Sequence, residues 1–420
     1  MKIPVKTIPY DEVVTLPRAG HKLPRRPSRL LHTIMRLGSD IDLNDVGFTY
    51  EKHGLDRAGN GPWLVLMNHS SFIDFEILSR ILYPRPYHII ATSDGFVGKE
   101  WLMRALGCIP TQKFVRDVTL LNDMRHALNV LRNTVVLYPE ASYSFDGTTT
   151  PLPRRLGRLF KSLGVPVVMI TTFGAFARDP LYNNLQKRKV KVTARAECLF
   201  SPEELASATV EELDSRLEKA FDLDYFAWQK ETGLKISEPF RADGLGRILY
   251  KCPACGAEGV MTGSGITLKC GACGKEYTME EDGSMLSVDG ETEFPHIPDW
   301  YSWERECVRE AVLNGSYRMD LDVRIGMMVD YKAIYMVGNG TLHHSTDGFV
   351  LDGCGGRLHY EQSPLASYSV YSDYFWYELG DVVCIGNKDA LYYCFPEQKD
   401  VVAKIRLAAE EIYKNLKEIG

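Results

Sequence analysis

Three observations predict a multidomain chain in which an α/β sandwich around a largely parallel sheet is followed by a small four-cysteine ribbon and a C-terminal antiparallel β-barrel closed by a helix. Between residues 46 and 235, short apolar runs alternate with segments of helical periodicity. Four of the ten cysteines form two close pairs, at 252/255 and 270/273. From Trp300 onward, alternating strands precede one last amphipathic helix. A length of 420 residues agrees with several domains at roughly 100–200 residues each. With 45% hydrophobic and 25% charged residues the chain is neither disordered nor fibrous. A formal net charge of -6 gives no global basis for binding nucleic acid, and none is expected; an anionic partner would have to be met by a local patch.

Residues 1–45 read as a basic N-terminal arm. From Arg18 to Arg36 there are six Lys/Arg and two His with no acid, interleaved with Leu30, Leu31, Ile34 and Met35. That mixture suits an anionic membrane surface. A solvated arm, or a helix packed on the next domain, explains it as well, because Pro24 and Pro27 shorten any helix. No run approaches the roughly 18 apolar residues of a membrane span, and the first residues lack a signal peptide's apolar segment. The expectation is a cytoplasmic protein held peripherally at the cytoplasmic face of a membrane.

In residues 46–235 the buried strands are WLVLM (63–67), YHIIAT (87–92), TVVLY (134–138), VPVVMI (165–170) and VKVTARA (190–196), separated by helical stretches such as FEILSRIL and LNDMRHALNVLR. Sites in such sheets lie at the carboxyl ends of strands. The loop after the first run reads Asn68-His69-Ser70-Ser71-Phe72-Ile73-Asp74. One helical turn brings Asp74 beside His69, where the carboxylate accepts from Nδ1–H and leaves Nε2 as a base. The same Ser71-x-x-Asp74 spacing also fits a plain helix cap.

The order NHSSFID (68–74), GCIPTQKFVR (107–116), YPEASYS (138–144) and GVPVVMI (164–170) resembles the four blocks of the glycerolipid acyltransferase family that includes lysophosphatidic acid acyltransferases. The resemblance covers residues 46–235. It implies His69 as general base with Asp74 orienting it, a second-block cation for the acceptor's phosphate, and Glu140 in acceptor binding. Gly107, Ile109 and Pro110 stand where the pattern wants them, but Lys113 occupies the usual arginine position, with Arg116 three residues on. The third block ends Glu140-Ala141-Ser142-Tyr143, without its arginine. Either the acceptor is not a simple phosphomonoester, or a cation from Arg154, Arg155, Arg158 and Lys161 replaces the missing charge. The implied donor is acyl-CoA or an acyl-carrier protein, and the implied acceptor a lipid. No G-x-S-x-G elbow surrounds any serine, which disfavours a serine hydrolase.

Residues 245–295 hold Cys252-Pro-Ala-Cys255-Gly and, after fourteen residues, Cys270-Gly-Ala-Cys273-Gly. Two C-x-x-C-G turns can present four thiolates to one tetrahedral zinc, with SGITLK and KEYTM as ribbon strands. Four sulfur ligands leave no open position, so the zinc is expected to fold its module and to be chemically independent of the histidine site.

Residues 300–420 alternate as MDLDVRI (319–325), with a hairpin turn expected at Gly338-Asn339-Gly340 and another through Asn387-Lys388-Asp389. A final helix carries Val401, Val402, Ile405, Ala408, Ala409, Ile412 and Leu416 on one stripe. Strands closed by such a helix are similar to a pleckstrin-homology or GRAM-type domain. His343-His344 and the aromatic run 368–377 read as strand surface and core.

The sequence therefore reads as an O-acyltransferase that esterifies a lysolipid hydroxyl, with 1-acyl-sn-glycerol 3-phosphate as the expected acceptor. Glycerol 3-phosphate or a lysophospholipid is an alternative, as is a non-catalytic scaffold built on a degenerate acyltransferase domain.

Overall fold

The structure, a computed structural model, describes residues 2–115 and 117–419. Its largest α/β unit is a seven-stranded sheet in the order Thr49–His53, Thr193–Phe200, Val167–Phe173, Leu64–Met67, Thr134–Leu137, Tyr87–Thr92, Cys108–Thr111. The five strands from Val167–Phe173 to Cys108–Thr111 run parallel. Thr193–Phe200 pairs antiparallel to Val167–Phe173, and Thr49–His53 runs with it, so the sheet is mixed at that edge. One face is covered by Val118–Arg125, Leu156–Leu163 and Val210–Ala220, the other by Arg29–Asp45 and Ile73–Leu82. Burial on both faces explains why the central strands are unbroken apolar runs.

The basic arm is laced along this unit. Ser28 caps the Arg29–Asp45 helix by accepting from Leu31 N, directly after Pro27. His21 bonds Asp123 and Lys22 bonds Glu100. Leu30 and Ile34 are exposed as expected, but Met35 packs into the core; Leu37 and Ile41 complete the exposed stripe instead. Further upstream, Val5–Thr7 pairs in parallel with Ile334–Met336 of the C-terminal sheet.

Residues 252–287 form a four-stranded antiparallel sheet of Met285–Ser287, Glu276–Met279, Thr267–Cys270 and Met261–Ser264. The helix Ile297–Leu313 leads into a C-terminal sheet ordered Leu358–Gln362, Gly348–Gly353, Ile334–Ser345, Arg318–Met328, Leu391–Pro396, Gly380–Gly386, Tyr371–Trp376. Among the described residues no ladder joins its two outer strands, so the expected barrel is an open sheet by its hydrogen bonds. The side chain of Gln362 accepts from Gly386 N across the gap. Between the edges runs 363–370, which contains Pro364 and ties Ser369 to Glu410 of the terminal helix Val402–Ile419.

The turn expected at Gly338-Asn339-Gly340 does not form. The strand Ile334–Ser345 runs through it and reverses at 346–347. A register shift opposite Ile325/Gly326 lies beside Gly338. At Gly340 a side chain would meet Asp352 O at 2.2 Å, so close strand approach, not a reversal, requires these glycines. The second turn forms as read, with the Asn387 side chain accepting from Asp389 and Ala390 N–H.

Candidate active site

The loops leaving the carboxyl ends of four parallel strands bring together His69, Asp94, Lys113 and Glu140. Leu64–Met67 is followed by Asn68, which locks the strand end: its Oδ1 accepts from Thr172 N at 2.8 Å and its Nδ2 donates to Thr172 Oγ1 and to the Tyr225 hydroxyl. His69 Nδ1 lies 3.2 Å from Asp74 Oδ2. That same oxygen accepts from Ser70 N at 2.8 Å and Ser71 N at 3.1 Å. The pair expected of a dyad is present, and the same carboxylate pins the turn ahead of the helix, but the helix cap does not form: Phe72 stands at the N-cap of Ile73–Leu82 without a side-chain cap bond, and among the described residues Ser71 Oγ makes no cap bond. With Nδ1 engaged, the Nε2–H tautomer is disfavoured and Nε2 is left as a base.

Two rings flank the imidazole, Tyr138 at 4.1 Å and Tyr143 at 4.3 Å between centroids. Burial lowers the His69 pKa, opposed by the hydrogen bond and charge of Asp74. Glu140 does not face outward as an acceptor-binding group. Its Oε1 accepts from His69 N at 3.0 Å and its Oε2 from Thr150 N at 2.9 Å. Burial pushes it up to about 7 against those two N–H donors and the charge of Arg406.

Lys113 lines a narrow crevice between its own loop and the C-terminal strands Tyr371–Trp376 and Gly380–Gly386. Its ammonium lies 4.3 Å from the Tyr371 ring centroid. Burial lowers its pKa, while the charges of Asp373 and Asp94 raise it. Asp94 also accepts from the Tyr371 hydroxyl at 3.0 Å and the Trp376 indole at 3.1 Å. The aromatic run is therefore more than the core of its own sheet: it seals one side of the second-block loop. Arg116 lies outside the described residues. Of the proposed replacement cations, Arg154, Arg155 and Arg158 are exposed and Lys161 donates to Leu205 O.

Sequence reasoning missed Asn68, Asp94, Tyr225 and Arg406. Asp94 carried a signal, since it follows the strand Tyr87–Thr92 at the end where sites gather. Arg406 carried a weaker one, an i,i+4 pair with Glu410 beside an apolar stripe.

The four cysteines come together in a separate cluster. Their sulfurs all lie within 4.8 Å of one another, with Cys252–Cys273 and Cys255–Cys270 each at 3.8 Å. A tetrahedron with metal–sulfur bonds of about 2.3 Å has edges of roughly 3.8 Å, so the set fits one tetrahedral ion. Backbone N–H groups of Ala254 and Cys255 aim at the Cys252 sulfur, and those of Ala272 and Cys273 at Cys270, as thiolate ligands require.

Among solved structures, the 1-acyl-sn-glycerophosphate (LPA) acyltransferase PlsC from Thermotoga maritima is similar over 45% of this chain and 76% of its own, at 17% identity and a TM-score of 0.36. No curated protein matches the chain. The family model Acyltransferase matches residues 49–172. This span begins at the edge strand Thr49–His53 and ends within Val167–Phe173, enclosing the dyad, Lys113 and Glu140. Residues 49–172 are therefore an acyltransferase-family domain, as the four ordered blocks lead one to expect.

Proposed function

We propose that this chain is a peripheral O-acyltransferase that moves a fatty acyl group from acyl-CoA or an acyl-carrier protein to a lysolipid hydroxyl, with 1-acyl-sn-glycerol 3-phosphate as acceptor. The observation that carries the reading is the His69–Asp74 pair at a strand's carboxyl end inside an acyltransferase-family domain. His69 Nε2 removes the acceptor's hydroxyl proton as that oxygen attacks the thioester carbonyl. Asp74 stabilises the imidazolium. When the tetrahedral intermediate collapses, the carbon–sulfur bond breaks and the imidazolium returns its proton to the thiolate. Labelled acyl-CoA offered with a panel of lysolipids tests the reading; no ester product with any of them would reject it.

In this reading Lys113 meets the acceptor's phosphate as a point charge. Lys113→Met should raise the acceptor's half-saturation by about 10- to 100-fold, the worth of a charge-assisted hydrogen bond of roughly 1.5–3 kcal/mol. The thioester's half-saturation should hardly move. An unchanged acceptor dependence would move the phosphate site elsewhere.

Membrane contact is assigned to the Arg29–Asp45 helix. Leu30, Ile34, Leu37 and Ile41 recur at i, i+4, i+7 and i+11 and are 56–78% exposed, beside the exposed Arg25, Arg26 and Arg29. No helix among the described residues is long and apolar enough to cross a membrane. Replacing Leu37 and Ile41 together by Asp should lower binding to anionic vesicles, and binding of the unaltered protein should weaken with salt. Equal vesicle binding by both proteins would reject this face as the anchor. The four thiolates are assigned a structural zinc.

A further inference from the structure

The terminal helix Val402–Ile419 buries more than its apolar stripe. Arg406, Glu410 and Glu411 are each 5% exposed or less, and buried charges are retained only when partnered. Glu410 is held by Arg305 at 2.8 Å and by Ser369 Oγ at 2.9 Å; Arg305 also bonds Glu411 at 2.9 Å. Arg406 donates from Nε to Glu410 at 3.3 Å and then reaches past it. Its guanidinium lies 4.4 Å from the Phe145 ring centroid, and one terminal nitrogen is 3.5 Å from the Tyr143 carbonyl. A helix that needed only packing would be better served there by an apolar side chain.

The loop that Arg406 grips is the one that holds the histidine. Glu140 accepts from His69 N, Ser144 N donates to His69 O at 3.2 Å, and the Tyr143 ring packs on the imidazole. We propose that Arg406 is a positioning residue of the histidine site, through which the C-terminal helix holds residues 140–145 against His69. The proposal extends the reading of His69 as general base. The charge of Arg406 also reaches Glu140 and opposes the effect of its burial. The other groups facing that carboxyl are the N–H of His69, the N–H and hydroxyl of Thr150, and the phenols of Tyr225 and Tyr368. Its ionised form accepts the two N–H bonds that fix the loop. Burial lowers the His69 pKa and pushes Glu140 up to about 7, so protonating Glu140 as the pH falls would weaken the two N–H bonds that hold the loop, and an acid limb from that source is what the pH profile reads.

The test uses the full chain. Arg406→Met removes charge and donor while keeping the stem, Arg406→Lys restores charge, and Lys404→Ala alters an outward ion pair of the same helix. The Glu140 carboxyl is followed by carbon-13 NMR, assigned by its loss in Glu140→Gln, alongside the pH profile of turnover. In Arg406→Met the titration should move up by about half a unit or more, carrying the acid limb with it and lowering turnover more than half-saturation. Arg406→Lys should return both toward the unaltered values, and Lys404→Ala should leave them in place. If Met unfolds the module, Arg406→Gln keeps a donor for the Tyr143 carbonyl without the charge and should show the same shift. An unmoved Glu140 titration in folded Arg406→Met or Arg406→Gln overturns the proposal. A moved titration in a protein that transfers no acyl group supports the proposal and rejects the enzymatic reading instead.

Discussion

Replacing His69 by alanine should lower acyl transfer by about 10²–10⁴-fold, the range expected when a positioned general base is lost. Among the described residues the imidazole has one hydrogen-bond partner, Asp74, and it lies in the loop beyond the strand end, so its removal should leave the sheet intact. Far-UV dichroism and the thermal transition check that point. Asp74→Asn is the informative companion. The amide oxygen can still accept from Ser70 and Ser71, but the charge that steadies the imidazolium is gone. Turnover should therefore fall further than either substrate's half-saturation rises. Normal turnover in His69→Ala would end the mechanism.

The second large effect is expected from the thiolates. Serine at Cys252, Cys255, Cys270 or Cys273 should release the metal, whose binding in four-ligand sites is worth on the order of 10–16 kcal/mol of folding free energy. The damage should spread beyond residues 245–295. Cys252 and Cys270 are buried in the same apolar cluster as Trp300, Val402 and Ile405. Trp300 donates to Lys251 O at 3.0 Å, Lys251 N donates to Glu304 at 2.7 Å, and the same helix carries Arg305 to the terminal helix. Protease sensitivity of 245–295 should rise, and activity should fall through loss of the proposed Arg406 clamp, although four thiolates would leave an ion no open position for chemistry. The dependence expected here is structural, through shared packing, and leaves the chemical independence that the sequence suggests as it was. Elemental analysis below about half an equivalent of zinc in unaltered protein purified without chelator would count against the site.

Much of this architecture is legible in the sequence because local chemistry dictates it. Buried parallel strands need apolar residues on both faces, so LVLM, HIIA and TVVL announce themselves. The cysteine pairs and the strand-to-helix turn of His69 and Asp74 are likewise short-range patterns. What stays hidden depends on partners far along the chain. Val5–Thr7 is too short and exposed to read as a strand. The glycines at 338 and 340 imitate a hairpin turn because the same lack of a side chain that permits a reversal also permits close strands. The charges of Arg406, Glu410 and Glu411 suggest a wet helix face, and only the packed structure reveals that they answer one another and Arg305.

The pairing of Val5–Thr7 with Ile334–Met336 has a bearing on synthesis. The first of these residues leave the ribosome more than three hundred positions before their partners, and at roughly 5–20 residues per second the nascent chain waits tens of seconds to close that ladder. Tyr143 likewise emerges long before Arg406. A polypeptide released early would carry every block of the acyltransferase domain yet lack the pieces that seal it. Segments made late thus decide when those made early are closed into one packed unit.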